Sequence, residues 1–183
     1  KQHGVVPYIK KIDTTAGEDP SPSNYLYMSY VGMFHDQLPD DGKHSIVVLG
    51  SGAYRIGTSV EFDWCAVSCS RELQKAGWRS VIINCNPETV STDFDASTRL
   101  YFEPLDAESI MEIVRAESPE GESTLPAFVQ FGGQTPLNLA ASLSAAGVPL
   151  LGASLEAIDE TEDRVRFAAL LDRLGVLQPE GGL

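Results

Sequence analysis

Three glycines, Gly50, Gly52 and Gly57, follow a short apolar run, and their spacing is the first feature of this sequence that suggests chemistry. The run Ser45–Leu49 is rich in β-branched residues, which predicts a buried strand. Because glycine has no Cβ, such a loop lets backbone N–H groups approach an anion that side chains would hold off. Apolar residues at helical spacing over Ser59–Ala76 predict a helix. A strand, a glycine loop and a helix typically open an α/β nucleotide-type domain.

The glycine loop departs from the dinucleotide fingerprint G-x-G-x-x-G in two ways. Its third glycine lies later in the chain than the fingerprint places it. The second predicted strand runs into Asn84, whereas the fingerprint ends there in an acidic residue that binds a ribose. Asparagine cannot serve as that charged acceptor. An NAD(P)-binding oxidoreductase domain is therefore an alternative that the loop supports only weakly.

Two more polar loops, Cys85–Asp93 and Gly132–Thr135, follow predicted strands. Because the carboxyl ends of parallel strands share one edge, we expect these loops to meet the glycine loop there. Their backbone amides suit a phosphate or carboxylate, and Arg55 is the single cation among them. Turn formation and helix capping are competing explanations for each polar residue. The polar side chains are Asn86, Thr89, Ser91, Thr92, Gln134 and Thr135, and the nearby carboxylates are Glu61, Asp63, Glu88 and Asp93.

No catalytic set is evident in the sequence. No histidine lies near the loops and no Ser-His-Asp set is present, so nucleophilic and imidazole chemistry are unsupported. Cys65 and Cys69 lie four residues apart and could supply half of a metal site. No Cys or His pair elsewhere completes that site, so no metal ligand is predicted. We expect small buried thiols in a reducing compartment.

The composition narrows the class of protein. The chain has 183 residues, of which 43% are hydrophobic, enough for one ordinary domain with a core and an appendage. Its formal net charge of −13 argues against a nucleic-acid or anionic-membrane surface, either of which needs a basic patch. No apolar run reaches membrane-spanning length and no secretory signal opens the chain. The absence of a starting Met suggests a fragment.

The order of predicted elements favours a Rossmann-like parallel sheet with helices on both faces. An irregular segment, Lys1–Asp41, precedes it, and the polar stretch Asp36–His44 is typical of a linker. Tyr25, Tyr27 and Tyr30 could form a stacking surface or, as we favour, anchor an extended segment against a neighbouring domain. The predicted strands are 45–49, 80–84, 100–102, 127–131 and 148–151, and the predicted helices are 60–76, 106–117, 137–146, 154–159 and 162–174.

Several long motifs stand out: GSGAYRIGTSVEFDWC, NCNPETVSTDFD, RLYFEP, FGGQTPLNLA and LGASLEAID followed by EDR-x-RF. Together they resemble the large subunit of carbamoyl-phosphate synthase. They match the pre-ATP-grasp domain that opens its second, carbamate-phosphorylating half. Lys11–Thr14 and Asn24–Tyr27 resemble the end of the preceding oligomerisation domain. The implied division is a tail and linker at 1–44, a pre-ATP-grasp domain at 45–153 and the helical start of the ATP-grasp region at 154–183.

The resemblance implies an ATP-dependent ligase that makes carbamoyl phosphate from bicarbonate, glutamine-derived ammonia and two ATP with Mg²⁺ or Mn²⁺. This piece would form one wall of the second site, bind no cofactor alone and be inactive in isolation. Arg164 or Arg166 would reach the nucleotide phosphates, although an ion pair of Arg164 with Glu160 or Glu162 is the competing explanation. The implied substrate-lining or tunnel-lining residues are Gly50, Ser51, Gly52, Arg55, Gly57, Glu61, Asn86, Glu88, Thr89, Thr92, Asp93, Gly132, Gly133 and Gln134.

The resemblance also implies partners and a location. The ATP-grasp domain and the first synthetase half would belong to the same parent chain, and a glutamine amidotransferase subunit or domain would supply ammonia. A homo-oligomer is compatible with the family, whereas nucleic acid and membrane are not expected. The location would be cytoplasmic, or mitochondrial for a eukaryotic arginine-pathway or urea-cycle type. A non-catalytic interaction module that docks through the tyrosine segment is the other alternative.

Overall fold

The computed structural model describes residues 5–15, 17–18, 23–39, 44–52, 60–119 and 124–179. The predicted site residues Arg55 and Gly57 lie outside these ranges. Within them, six strands form one sheet in the order β1-β2-β5-β4-β3-β6. The strands are β1 Tyr8–Lys11, β2 Tyr25–Ser29, β3 Ser45–Leu49, β4 Arg79–Ile83, β5 Arg99–Tyr101 and β6 Ala127–Phe128.

The centre of the sheet is parallel, as predicted. Strand β3 pairs in parallel with β4 and β6, and β5 pairs in parallel with β4 and β2. Every residue of β3 and β4 is buried, as is usual for parallel strands covered on both faces. Val47 and Leu49 face the larger apolar core, while Val48 faces a smaller one. The larger core contains residues of the helices α2 (Ala107–Glu117), α4 (Ala140–Ala145) and α5 (Leu155–Glu162), and the smaller core lies beside the helix α1 (Val60–Lys75).

The helices begin and end where local chemistry favours it. Asp106 accepts a hydrogen bond from the Ser109 N–H at the start of α2, and Ser154 caps α5 in the same way. None of the helices among the described residues is both long and apolar enough to cross a membrane. The helices are α1 Val60–Lys75, α2 Ala107–Glu117, α3 Gln134–Leu137, α4 Ala140–Ala145, α5 Leu155–Glu162 and α6 Arg164–Leu174, with a 3₁₀ turn at Val90–Thr92.

The expectation of an irregular N-terminal segment was wrong for residues 8–11 and 25–29. Strand β1 lies antiparallel to β2, and β2 pairs in parallel with β5, so the sheet is mixed at this side. Ile9 and Leu26 are fully buried in the larger core. Tyr25 packs edge-on against Phe102 with ring centroids 5.2 Å apart. The alternation of apolar and polar residues in this stretch therefore marked a strand of the same sheet.

The C-terminal part of the sheet is shorter than predicted. The predicted strand at 148–151 is reduced to one parallel bridge between Ala127 and Leu150. Pro149 has no N–H to donate to a ladder, although its carbonyl accepts from the Ala127 N–H at 2.9 Å. The predicted helix over 137–146 is two short helices, α3 and α4, and begins earlier at Gln134.

A buried ionic cluster closes the amino-terminal end of β4 and β5. Glu117 accepts from the Nε of Arg99 at 2.5 Å and from the Tyr101 hydroxyl, and it lies 3.6 Å from Arg79. Burial, followed by the charge of Glu117, raises the pKa of Tyr101 well above its usual value. Arg99 also donates to the Gln37 carbonyl at 3.1 Å, so the cluster ties residue 37 to the domain.

The cysteines of α1 differ from the expectation of buried thiols. Cys65 is exposed and Cys69 is half-buried. Burial raises the pKa of the Cys69 thiol to about 11. These thiols border an apolar groove lined by Cys65, Ser68, Cys69, Glu72, Leu73, Phe128 and Phe131.

Candidate functional site

The first glycine turn starts where β3 ends. The Gly50 N–H donates to the Ile83 carbonyl at 2.9 Å, which continues the pairing of β3 with β4. The Gly52 N–H donates to Oδ1 of Asn84 at 3.1 Å. Gly52 has a φ of 76°, which a residue with a Cβ rarely adopts, so glycine is required at this position. The turn is thereby held against the end of the neighbouring strand.

The second glycine turn packs directly on the first. A Cβ on Gly132 would lie 2.1 Å from the carbonyl oxygen of Gly50, far inside van der Waals contact. A Cβ on Gly52 would lie 3.7 Å from Cγ2 of Thr135. Only a residue without a side chain allows the backbones at 50 and 132 to approach so closely. The chain after β3 and the chain after β6 therefore meet at the carboxyl edge of the sheet.

The third loop, 85–93, is tied to the same edge by side chains. Nδ2 of Asn84 donates to Oγ of Ser91 at 3.1 Å. The Asp63 carboxylate accepts from the Ser91 N–H at 2.9 Å and from the hydroxyls of Ser91 and Thr89. Asp63 lies in the first turn of α1, so it joins this loop to the helix. Residues 50–52 of the first predicted loop thus lie together with the other two loops at the carboxyl edge of the sheet, as expected from the parallel order.

The amides of this edge are less available than the glycine pattern suggested. The N–H groups of Gly50 and Gly52 are already bonded within the domain. Within the described part of the chain, the Ser51 N–H has no hydrogen-bond partner, and Ser51 is buried. The expectation that the loop presents its amides to a ligand is therefore wrong for Gly50 and Gly52, whose N–H groups stabilise the turn. Ser51 is the remaining donor within residues 50–52.

Several predicted site residues of the 85–93 loop bond inward. The Thr92 hydroxyl donates to the Thr89 carbonyl at 2.7 Å. Oδ1 of Asn86 accepts from the Glu88 N–H at 3.0 Å. These bonds stabilise the turn and agree with the competing explanation for polar loop residues. The carboxylates of Glu61, Glu88 and Asp93 are exposed.

A cleft extends from the second glycine turn to α5. Gly133 is buried with a φ of 71°, and Gln134 next to it is exposed, with Nε2 donating to Oδ1 of Asn138 at 3.0 Å. The cleft has a volume of about 220 Å³, and Glu162 near the end of α5 lies on its wall. It is lined by Gln134, Leu137, Asn138, Ala141, Leu155, Ile158, Asp159 and Glu162.

The two predicted phosphate-binding arginines lie on α6, past this cleft. Both are exposed, and Arg166 lies 3.7 Å from the Asp159 carboxylate. Glu160 pairs instead with Arg173 at 3.1 Å, and Arg164 makes no ion pair within residues 124–179 or the other described ranges. The competing explanation for Arg164, an ion pair with Glu160 or Glu162, is therefore not seen among these residues.

Sequence reasoning missed the central role of Asn84. It noted only that asparagine cannot replace the acidic residue of a dinucleotide site. The side chain is fully buried, and all its bonds go to the glycine turn and the 85–93 loop. A polar residue placed directly after a fully apolar strand was the available signal, since a buried amide must find partners. This position therefore offers no group for a ribose, which adds to the sequence evidence against NAD(P) binding.

Comparison with known proteins then decides the family. The family model of the carbamoyl phosphate synthase preATP-grasp domain matches residues 42–160. The chain is 52% identical over 179 residues to the arginine-specific large chain of carbamoyl phosphate synthase from Cutaneotrichosporon cutaneum, covering 98% of this chain and 14% of the relative. The chain belongs to the carbamoyl phosphate synthase large-chain family.

Other members of the carbamoyl phosphate synthase family agree with this assignment. The large chain from Mesorhizobium japonicum is 50% identical over 183 residues, covering 98% of this chain and 16% of the relative. The chain therefore spans about a seventh of the length of these relatives. Among solved structures, a biotin carboxylase domain of a single-chain bacterial carboxylase superposes with a TM-score of 0.50 at 17% identity, covering 76% of this chain and 31% of that one. At that identity the likeness supports the fold alone.

Proposed function

We propose that this domain forms one wall of the site at which a carbamoyl phosphate synthase large chain phosphorylates carbamate. The observation that carries the proposal is the meeting of three loops at one sheet edge, with Gly132 against Gly50 and Asn84 between the first turn and the 85–93 loop. Ligands of open α/β sheets bind at this edge. The relatives are named as carbamoyl phosphate synthase large chains. We place the part that the described residues take in such a synthesis at this edge.

The proposed step is the transfer of a phosphoryl group from ATP to carbamate. A carboxylate oxygen of carbamate attacks the γ-phosphorus, the bond from that phosphorus to ADP breaks, and carbamoyl phosphate and ADP result. Carbamate and carbamoyl phosphate decompose in water, so the site must exclude water and offer fixed donors. A buried turn in which the Ser51 N–H has no partner among the described residues is suited to that purpose.

The remaining machinery is proposed to lie elsewhere in the parent chain. In the described ranges, no group of three or more His, Cys, Asp or Glu side chains is arranged to hold a metal ion. Phosphoryl transfer needs metal-bound phosphates, so we place the Mg²⁺ or Mn²⁺ ligands and most ATP contacts in the ATP-grasp domain. Among the described cations, we assign Arg164, exposed at the start of α6, to the nucleotide phosphates, with Arg166 as the alternative.

The proposal extends to the assembly. The first synthetase half would use the other ATP on bicarbonate, and an amidotransferase subunit or domain would release ammonia from glutamine. Residues 1–44 are proposed as the tail of an oligomerisation domain and 154–183 as the start of the ATP-grasp region. The parent protein would work in the cytoplasm, or in mitochondria if it is of eukaryotic arginine-pathway type.

The test uses the parent large chain and the reverse of the proposed step, ATP formation from MgADP and carbamoyl phosphate. Gln134→Ala changes an exposed side chain at the edge without disturbing the buried turns. We expect its reverse rate to fall about tenfold, because a group that fixes the reacting anion typically contributes that much or more. Bicarbonate-dependent ATP hydrolysis, assigned to the other half, should stay within about twofold.

Lys75→Ala is the matched control. Lys75 is exposed at the last turn of α1, at the opposite end of the sheet, and its one ion pair with a described residue is with Glu72, three residues earlier on the helix. It should leave both activities unchanged. If Gln134→Ala and further exposed substitutions at this edge leave ATP formation at the level of Lys75→Ala, the edge is not a wall of that site.

A further inference from the structure

One buried side chain connects all the backbone that surrounds the proposed edge. Oδ1 of Asn84 accepts from the N–H groups of Gly52 at 3.1 Å and Asn86 at 3.3 Å, while Nδ2 donates to Oγ of Ser91 at 3.1 Å. The side chain is 0% exposed. Its amide therefore joins the glycine turn after β3 to both ends of the loop after β4.

The surrounding backbone is built to fit this amide. A Cβ on Gly50 would lie 2.7 Å from Cγ and Nδ2 of Asn84, so a glycine at 50 leaves the space that the amide occupies. Gly132 in turn contacts the carbonyl of Gly50. The Asn84 amide thus packs against the first glycine turn at Gly50, and the second glycine turn, at Gly132, packs against the first. A shift of the amide would move both turns.

A relay of hydrogen bonds extends from Asn84 to α1. Ser91 accepts from Nδ2 of Asn84, and its hydroxyl and N–H donate to the Asp63 carboxylate at 2.5 Å and 2.9 Å. The relay therefore holds Gly52, before α1, and Asp63, in the first turn of α1, to the same loop. Ser51, whose N–H lacks a partner among the described residues, lies next to the held Gly52.

We propose that Asn84 is the positioning residue of the carbamate-phosphorylating edge. Its amide sets the direction of the Ser51 N–H and of the 85–93 loop without touching the substrate itself. This inference rests on the proposed function and goes beyond it, because it names the residue that orients the edge. Since misplacing a reacting group by about 1 Å can cost on the order of a hundredfold in rate, loss of this amide should act on turnover more than on stability alone.

The test compares Asn84→Ala, Asn84→Asp and Asn24→Ala in the parent large chain. Asn84→Asp keeps the acceptor oxygen for Gly52 and Asn86 and loses the donor to Ser91. Asn24 is the matched control, because its Nδ2 donates to the Ser97 carbonyl at 2.7 Å at the opposite edge of the same sheet. The measurements are kcat and KM for ATP formation from MgADP and carbamoyl phosphate, bicarbonate-dependent ATP hydrolysis, and the melting temperature.

We expect Asn84→Ala to lower kcat for ATP formation at least about tenfold, with the KM for MgADP within about twofold. Asn84→Asp should recover part of that loss, and bicarbonate-dependent hydrolysis should be unchanged in both. Asn24→Ala should leave kcat unchanged even where it lowers the melting temperature. If Asn84→Ala does not fold, Asn84→Asp and Ser91→Ala decide. Both break the bond between Asn84 and Ser91, and Ser91→Ala also removes the hydroxyl bond to Asp63.

Three outcomes overturn the proposal. In the first, the Asn84 and Ser91 variants retain ATP formation. In the second, they lose it no more than Asn24→Ala at an equal drop in melting temperature. In the third, they lose both half-reactions in parallel. The proposed function is separable, because Gln134→Ala would still lower ATP formation if only the role of Asn84 is wrong. If neither Gln134→Ala nor the Asn84 variants lower the rate of ATP formation, both the role of Asn84 and the proposed function are wrong.

Discussion

A Cβ atom on Gly132 would lie 2.1 Å from the carbonyl oxygen of Gly50, so the two glycine turns of this domain touch backbone to backbone. The same Cβ would lie 2.6 Å from Cγ of Pro136. Neither neighbour is the end of a flexible side chain, so the turns could not yield without moving β3 or α3. The contact is thus a rigid part of the carboxyl edge.

Gly132→Ala should therefore destabilise the domain. Overpacking of a tight backbone contact costs about 1–3 kcal/mol, and we expect the upper part of that range here. Urea unfolding monitored by tryptophan fluorescence measures it. Gly32→Ala is the control, because its Cβ would meet Cδ2 of Tyr8 at 3.4 Å, close to ordinary contact. Equal stability of the two variants would show that the turns do not touch as described.

The buried cluster at the other end of the sheet predicts a larger effect. The side chains of Arg99 and Glu117 are 3% and 0% exposed, so Glu117→Gln leaves buried arginine charge uncompensated. Breaking such a pair costs about 3–5 kcal/mol. Glu72→Gln, which removes an exposed pair with Lys75, should cost less than about 1 kcal/mol. Chemical unfolding of both variants is the measurement, and a cost for Glu117→Gln as small as that for Glu72→Gln would contradict a compact buried cluster.

Asp63 should matter for the loop after β4. Its carboxylate accepts three hydrogen bonds, from the Thr89 hydroxyl and from the N–H and hydroxyl of Ser91. Asp63→Asn keeps only one acceptor oxygen, so we expect a loss of about 1–3 kcal/mol and faster amide exchange in residues 89–93. Glu61→Gln, at an exposed position of the same helical turn, should change neither. Unchanged exchange in Asp63→Asn would mean that the loop does not depend on α1.

Cys69 predicts a pH dependence of stability. Burial raises the pKa of its thiol from 9.0 to about 11. The folded state therefore favours the neutral thiol, whose contribution to stability is present in full below pH 9 and is lost as the pH rises towards 11. The difference in unfolding free energy between the native chain and Cys69→Ala should shrink over that window. A difference that stays constant from pH 8 upward would show that the thiol is not desolvated.

Much of this fold could be predicted from the sequence, because apolar runs and helix caps act locally. Ser45–Leu49 is a strand over its predicted length, and Asp106 caps α2 as expected. Strands β1 and β2 could not be predicted as sheet members, since β1 pairs with β2, and β2 joins the sheet through β5, more than 70 residues further along the chain. Strand β6 covers only Ala127–Phe128 of the strand predicted over 127–131, because the chain already turns at Gln130.

The candidate site could be predicted as a place but not as a set of contacts. Parallel strand order brings the loops to one edge, which the sequence pattern already indicates. Which amides remain available depends on where Asn84 directs its side chain, and no local pattern encodes that. The order of the strands therefore indicated correctly that the loops meet at this edge, while the glycine spacing assigned to a ligand the amides of Gly50 and Gly52, which the fold itself uses. That a ligand binds there stays a prediction.

Without the rest of the parent chain, this domain should have no catalytic activity. No metal-binding cluster is present in the described ranges, and the proposal places the ATP ligands elsewhere. We expect the purified 183-residue chain to form no carbamoyl phosphate and to hydrolyse no ATP above buffer. A coupled assay with the intact large chain as positive control checks it. ATP-dependent carbamate phosphorylation by the isolated chain would contradict the division of labour.

Hydrogen–deuterium exchange of the intact large chain, with and without MgADP and carbamoyl phosphate, tests the central claim most directly. Peptides covering residues 50–52, 85–93 and 132–135 should exchange more slowly with the ligands bound, while peptides at the amino-terminal ends of β4 and β5 should be unchanged. Protection elsewhere in the chain, with none in these three loops, would show that the carboxyl edge of this sheet does not face the substrate.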